Sequence, residues 1–303
     1  MNYVDKLSYY FRWAFECRMM RRRLPLSGSI ILTDKCNLEC KHCIVSNLGY
    51  RALTLREVQR DLKTLYRRGA RVLVITGGEP FLWRDDIGHK LWDVVAYAKQ
   101  IGFFRTVVCT NGTIGLNSQA DYLWVSIDGV PTDHDTLRKE GSFNTIIKNI
   151  MRSKHRRIYV NYTISRVNLL DLEEAVANIF RYNGIRGIFF HLFTPYVGLD
   201  DNDLTLTPAD RKKAIEKIRA LKKKNPMRVL NTFAGLKALY NDNWQRPTWA
   251  SVVINDGELT ECCCRKAIRN PRVCTNCGCT PAVETWVLQE MKPSAIIENL
   301  RFL

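Results

Sequence analysis

Along most of the chain, short apolar runs alternate with longer stretches in which apolar residues recur every three or four positions. The runs near Ser29–Thr33, Arg71–Thr76, Arg105–Cys109, Leu123–Ile127, Ile158–Ile164 and Ile188–Leu192 have the length of strands. Between the first two, Leu55, Val58, Leu62 and Leu65 mark one face of a helix over Thr54–Arg68. Thr54 followed by Glu57 is a capping box at its start, and Gly69 ends it. Further helices are expected over Ile87–Gln100, Phe143–His155 and Leu170–Tyr182. Such alternation implies an α/β fold with a parallel sheet and right-handed crossovers. Six units suffice for a partial TIM barrel, approximately (β/α)6, whose polar residues gather just after the strands, where such folds build their sites.

The pattern changes at both ends. Residues 1–27 form an amphipathic segment in which Tyr9, Tyr10, Phe11, Trp13, Phe15, Met19 and Met20 interleave with Arg12, Arg18 and Arg21–Arg23. Two readings stay open: an interfacial helix on an anionic membrane, or a helix packed on the domain with its arginines in water. A helix is expected from Pro208 to about Lys224, with Lys222–Lys224 as a solvated last turn that complements the helix dipole. Beyond Asn231 the periodicity weakens, which divides a barrel at 28–229 from a cysteine-rich extension at 230–303.

The chain has 303 residues, 46% of them apolar, enough for a large core. Its apolar runs are too short to span a bilayer, and the net charge of +16 favours anionic partners. No separate RNA-binding module is evident, so nucleic acid is not the favoured partner. Nine of eleven cysteines fall in two groups; Cys17 and Cys109 stand alone and read as small buried residues. No secretory segment precedes them, so the chain is read as cytoplasmic and the cysteines as ligands rather than disulfides.

Cys36, Cys40 and Cys43 place three thiolates within eight residues. They can hold three irons of a [4Fe–4S] cube and leave the fourth open. Zinc is the alternative, with His42 as a fourth ligand awkwardly adjacent to Cys43. Gly77-Gly78-Glu79-Pro80 follows the second strand, where glycines would let backbone approach a ligand and Glu79 could accept from a cationic amino group.

CxxxCxxC after the first strand and GGEP after the second resemble the radical S-adenosylmethionine (SAM) superfamily over about Ser29–Lys224. The resemblance implies a [4Fe–4S] cluster whose open iron binds SAM, reductive cleavage to a 5′-deoxyadenosyl radical, and a one-electron donor such as flavodoxin or ferredoxin. By the same resemblance Thr110 and Asn111 lie near the cofactor, and Ser126 and Asp128, in an SxDG strand ending, approach the methionine or ribose. Arg138 and Gly141-Ser142-Phe143 extend it. Alternation places Asn161, Thr163 and Ser165 on one face, where they would line the SAM pocket. His191 could face substrate or be a satisfied core histidine, and Phe189, Phe190 and Phe193 could form an apolar wall or pack the core.

The second group is Cys262-Cys263-Cys264 with Cys274, Cys277 and Cys279, flanked by Arg265, Lys266, Arg269 and Arg272. Cys262, Cys264, Cys274, Cys277 and Cys279 are the candidate ligands of a second centre. Spacing leaves structural zinc open, whereas the resemblance implies an auxiliary [4Fe–4S] cluster in a twitch-like extension. The C-terminal organisation is also similar to the hopanoid-biosynthesis branch. The leading expectation is therefore a radical SAM enzyme modifying a hydrophobic, isoprenoid-type lipid at an anionic membrane surface. Peptide maturation, cofactor biosynthesis, and a zinc-stabilised protein that binds nucleic acid or anionic lipid are the alternatives.

Overall fold

A computed structural model describes residues 3–196, 203–262, 270–275 and 277–299. Six parallel strands, β1 (Ser27–Ile31), β2 (Val72–Thr76), β3 (Arg105–Thr110), β4 (Tyr122–Ser126), β5 (Ile158–Ile164) and β6 (Ile185–Leu192), lie side by side in chain order. On the other side of β1, β7 (Ser251–Asn255) adds a seventh parallel strand, and β8 (Glu258–Glu261) pairs antiparallel with it. The part of the chain beyond residue 230 thus completes the same sheet.

The helices are α1 (Tyr3–Arg18), α2 (Leu55–Arg67), α3 (Leu91–Gln100), α4 (Pro131–Leu137), α5 (Ser142–Arg152), α6 (Leu172–Phe180), α7 (Pro208–Lys224), α8 (Phe233–Asn241), α9 (Pro271–Thr275), α10 (Thr280–Gln289) and α11 (Pro293–Asn299). The Thr54 and Glu57 capping box is present at α2, and Thr207 with Asp210 makes a second one at α7. Helix α3 starts later than its apolar pattern implies. The carboxylate of Asp85 accepts from the backbone N–H groups of Ile87, Gly88 and His89, fixing a turn where the helix would have begun.

Strand alternation splits the interior in two. Ile30, Leu73, Ile75, Val108, Leu123 and Val125 point towards the helices and join the main core. Val74, Val107 and Tyr122, with Val72, Cys109, Trp124 and Tyr159, form a separate cluster on the inner face of the sheet. That face carries the candidate chemistry.

Helix α1 packs on the barrel through Trp13, Ala14 and Cys17, against Leu26 and Ala250, and Trp13 Nε1 donates to Leu24 O at 2.8 Å. Its other side leaves Val4, Phe11, Phe15 and Met19 exposed. Arg12 and Arg22 pair with Glu16, and Arg18 with Glu290. The packed-helix reading describes the face that meets the barrel. Lys222 corrects the solvated-turn expectation: it is 1% exposed, donates to Val229 O at 3.1 Å and pairs with Glu298 at 2.6 Å. Among the described residues, no helix is long and apolar enough to cross a membrane.

Candidate functional site

The three cysteines sit in the loop that leaves the C-terminal end of β1. Leu38, 2% exposed, anchors this loop, Cys36 N–H donates to Asn47 Oδ1 at 2.9 Å, and Cys43 N–H donates to Cys40 O at 2.9 Å. The glycines after β2 make room for it. A Cβ on Gly77 would stand 2.2 Å from Thr33 O, and one on Gly78 would stand 2.3 Å from Asp34 O. Gly77 also has φ +147°, outside the range side chains favour. Gly78 N–H donates to Thr33 O at 2.6 Å and Glu79 N–H to Lys35 O at 2.8 Å, so the two loops are laced together by backbone. The sequence expectation had the glycines approaching a ligand. Their close approach is to the chain that carries Cys36.

Glu79 is likewise turned inward. It is fully buried, and its carboxylate accepts from Thr110 Oγ1 at 2.8 and 2.9 Å, from Asn111 N–H at 2.7 Å and from Phe81 N–H at 3.1 Å. Burial pushes its pKa up, while these donors oppose the shift. It thus ties the GGEP loop, with buried Pro80, to the end of β3 and does not present a free carboxylate to a ligand. The tie positions Asn111, whose Nδ2 reaches Asn37 Oδ1 at 2.9 Å and Cys36 Sγ at 3.7 Å.

Asp128 is likewise held by neighbouring groups of the protein. It is 0% exposed; Oδ2 accepts from Arg138 Nε at 2.7 Å and Oδ1 from Thr163 N–H at 2.8 Å. Burial alone would raise its pKa, but Arg138, then His42 and His134, hold it below the ordinary carboxylate range. His134 Nδ1 accepts from Asp128 N–H at 3.1 Å, and burial together with Arg138 pushes the imidazole down to about 4. Asn168 Nδ2 donates to Asp128 O at 2.7 Å. The network fixes Arg138, whose Nη1 lies 3.7 Å from Cys40 Sγ.

Cys36, Cys40 and Cys43 line one cavity of about 150 Å³ together with His42, Thr76, Gly77, Gly78, Cys109, Thr110, Asn111, Ser126 and Arg138. Cys109, which the sequence suggested as plain packing, is half-buried and lines this cavity. The missed signal is parity: Cys109 is two residues beyond the inner-facing Val107. Ser126 stands beside Asn161 in the β4–β5 register, and Asn161 Oδ1 is 3.2 Å from His191 Nε2. The other ring nitrogen of His191 lies 3.1 Å from Thr280 Oγ1, so this histidine belongs to the polar inner face.

Cys36, Cys40 and Cys43 around one cavity could each offer a thiolate to a separate iron of a cube. Burial pushes the thiols of Cys36 and Cys40 up, a cost that cationic irons would reverse.

Below this cavity, on the same inner face, lies an apolar one of about 240 Å³. Val74, Val107 and Trp124 line it, each two residues before Thr76, Cys109 and Ser126 of the upper cavity. Two strand residues rise about 7 Å, so the cavities are stacked. Helices α1 and α10 close the lower one with Trp13, Ala14, Ala282 and Leu288.

The second cysteine group meets the top of β6. Leu192 N–H donates to Gly278 O at 3.1 Å and Gly278 N–H to Thr194 Oγ1 at 2.9 Å. A Cβ on Gly278 would lie 1.9 Å from Leu192 O, so only glycine fits between Cys277 and Cys279. Cys262 and Cys277 are buried, and Cys274 and Cys279 are half-buried. Arg211 donates to Cys277 O at 3.0 Å. Cys264, with Cys263, Arg265, Lys266 and Arg269, lies outside the described residues.

Residues 30–176 match the family model described as Radical SAM superfamily. A pre-heme d1 synthase of Dinoroseobacter shibae is 31% identical over 159 residues, 47% of this chain and 37% of that protein. An AdoMet-dependent heme synthase of Methanosarcina barkeri is 27% identical, covering 67% of this chain and 60% of that one. The antilisterial bacteriocin subtilosin biosynthesis protein AlbA of Bacillus subtilis is 27% identical over 47% of this chain and 33% of its own. The chain therefore spans from a third to 60% of the length of these relatives. In fold it is similar to Streptococcus suis SuiB bound to S-adenosylmethionine, with TM-score 0.63, 14% identity, and 79% of this chain and 60% of that one covered. SuiB bound to precursor peptide SuiA gives 0.65 at 12% identity, over 94% and 70%.

Proposed function

We propose, from the match of residues 30–176 to the Radical SAM superfamily model, that the chain is a radical SAM enzyme acting on a hydrophobic, lipid-class substrate. The carrying observation is the stacking of the cysteine-lined cavity directly on the apolar one along β2, β3 and β4. Cys36, Cys40 and Cys43 would each hold one iron of a [4Fe–4S] cluster. With SAM on the remaining iron and one electron from a flavodoxin- or ferredoxin-type donor, the cluster would supply reductive cleavage of SAM to methionine and a 5′-deoxyadenosyl radical. The backbone at Gly77–Gly78 and the side chains of Ser126 and Asn161 border the space for SAM, while Glu79 and Asp128 keep that border in shape. Apolar walls below exclude water from the carbon that reacts. Cys262, Cys274, Cys277 and Cys279 are proposed as ligands of an auxiliary [4Fe–4S] cluster, and the exposed side of α1 as the contact with an anionic membrane surface.

Anaerobic reconstitution followed by metal, sulfide and product analysis tests the reading. Bound iron with labile sulfide and formation of 5′-deoxyadenosine, lost in Cys36→Ala, Cys40→Ala and Cys43→Ala, are the expected results. Zinc without sulfide would overturn it in favour of a zinc-stabilised binding protein. Comparison of lipid extracts from cells with and without the active protein tests the substrate class. Peptide maturation or cofactor biosynthesis is the second reading, favoured by relatives named for haem and subtilosin biosynthesis. Unchanged lipids with a missing peptide or cofactor would select it.

A further inference from the structure

One end of the apolar cavity carries an arginine. Arg105, the first residue of β3, lines it, and its guanidinium lies 5.8 Å from the ring centre of Tyr10 and 5.3 Å from that of Tyr122. Arg157, just before β5, stands over the same Tyr122 ring at 5.3 Å. Lys6 comes from α1; burial, then the charges of Arg105 and Arg157, lowers its pKa, and Asp121 opposes this. Asp121 is a carboxylate acting on Lys6. It is engaged with Thr106 N–H at 2.7 Å, Thr106 Oγ1 at 2.8 Å and Lys99 at 3.4 Å. Two guanidinium groups from separate elements thus share one tyrosine ring at the end of an apolar cavity.

The geometry points to a binding site for an amphipathic anion, with a phosphate or carboxylate head at Arg105 and Arg157 and a hydrocarbon chain along Val107 and Trp124 towards the cysteine cavity. Guanidinium groups suit such oxygens because they donate in a fork, and the tyrosine rings hold them in place. Four strand residues separate Arg105 from Cys109, a rise of about 13 Å. The head is therefore held remote from the site of chemistry, and the carbon modified lies well along the chain. This inference deepens the lipid reading above and rests on it for its role in catalysis, but the site itself is testable without SAM.

Dodecyl phosphate, dodecanoate and dodecanol are titrated into the full-length protein by calorimetry, with inorganic phosphate as a fourth probe. The two long-chain anions are expected to bind, at least tenfold more tightly than the alcohol or phosphate, and their ratio tells a phosphate head from a carboxylate. Arg105→Gln and Arg157→Gln should each weaken the anions about tenfold and leave the alcohol unchanged. Val107→Trp should block all three chains while a circular dichroism melt confirms folding. Equal binding of alcohol and anions, or full affinity in both arginine variants, would overturn the site. SAM cleavage by the wild-type protein is measured separately, so a failed site and a failed enzyme assignment give different results.

Discussion

Arg138 is held by Asp128 through a 2.7 Å bond from Nε to Oδ2 and extends its Nη1 to within 3.7 Å of Cys40 Sγ. Both partners are almost completely withdrawn from water, with side-chain exposures of 9% and 1%. A full positive charge beside a cluster thiolate stabilises the reduced, more negative state. Arg138→Gln should lower the midpoint potential of the reconstituted cluster, on the order of 60 mV for a tenfold one-electron effect. A redox titration followed by electron paramagnetic resonance checks it.

Asp128→Ala leaves the same guanidinium buried without its counter-ion. Such losses cost about 3–5 kcal/mol, so the urea unfolding midpoint should fall clearly. Asp128→Ala should also loosen Thr163 N–H, which donates to the other carboxylate oxygen.

Gly78→Ala tests whether the GGEP loop serves the cysteine loop. Its Cβ would press on Asp34 O and Lys35 O, at 2.3 and 2.4 Å. Overpacking of this kind costs about 1–3 kcal/mol or more. The expected outcome is a folded barrel by circular dichroism with iron content reduced at the first site.

Gly278→Ala acts at the other group, where the clash is with Leu192 O. If the late cysteines hold a second cube, iron should fall from about eight to about four per chain, with SAM cleavage retained. A wild-type count of only about four would argue against the auxiliary cluster.

Glu284 supplies a pH signature. It lies in the core, accepts from Thr232 N–H at 2.8 Å and Thr232 Oγ1 at 2.7 Å, and burial raises its pKa to about 7. The fold therefore binds a proton that the unfolded chain releases near 4.5. Its contribution, on the order of 3 kcal/mol, is complete below the unfolded value and lost as pH rises through about 7. Glu284→Gln, which stays neutral, should flatten the decline of the melting temperature between pH 5 and 8.

The sequence by itself determined the barrel and the three cysteines proposed as its first metal site. β-strand runs and helical periodicity are local and strong from Ser29 to Lys224, and α7 and β5 fall where the pattern places them. A spacing such as Cys36, Cys40 and Cys43 likewise needs no partner to be legible. Tertiary structure alone decided what each polar residue faces. Glu79 and Asp128 carry the charge expected of ligand contacts, but neighbouring loops saturate them first, because a buried carboxylate must be hydrogen-bonded. Strand β7 and helices α8 to α11 were not legible because their short segments gain stability from the sheet edge and from each other, not from their own periodicity. The arginine pair at the end of the apolar cavity was hidden for the same reason. Arg105 and Arg157 are far apart in the chain, and only the packing of neighbouring strands brings both to the Tyr122 ring.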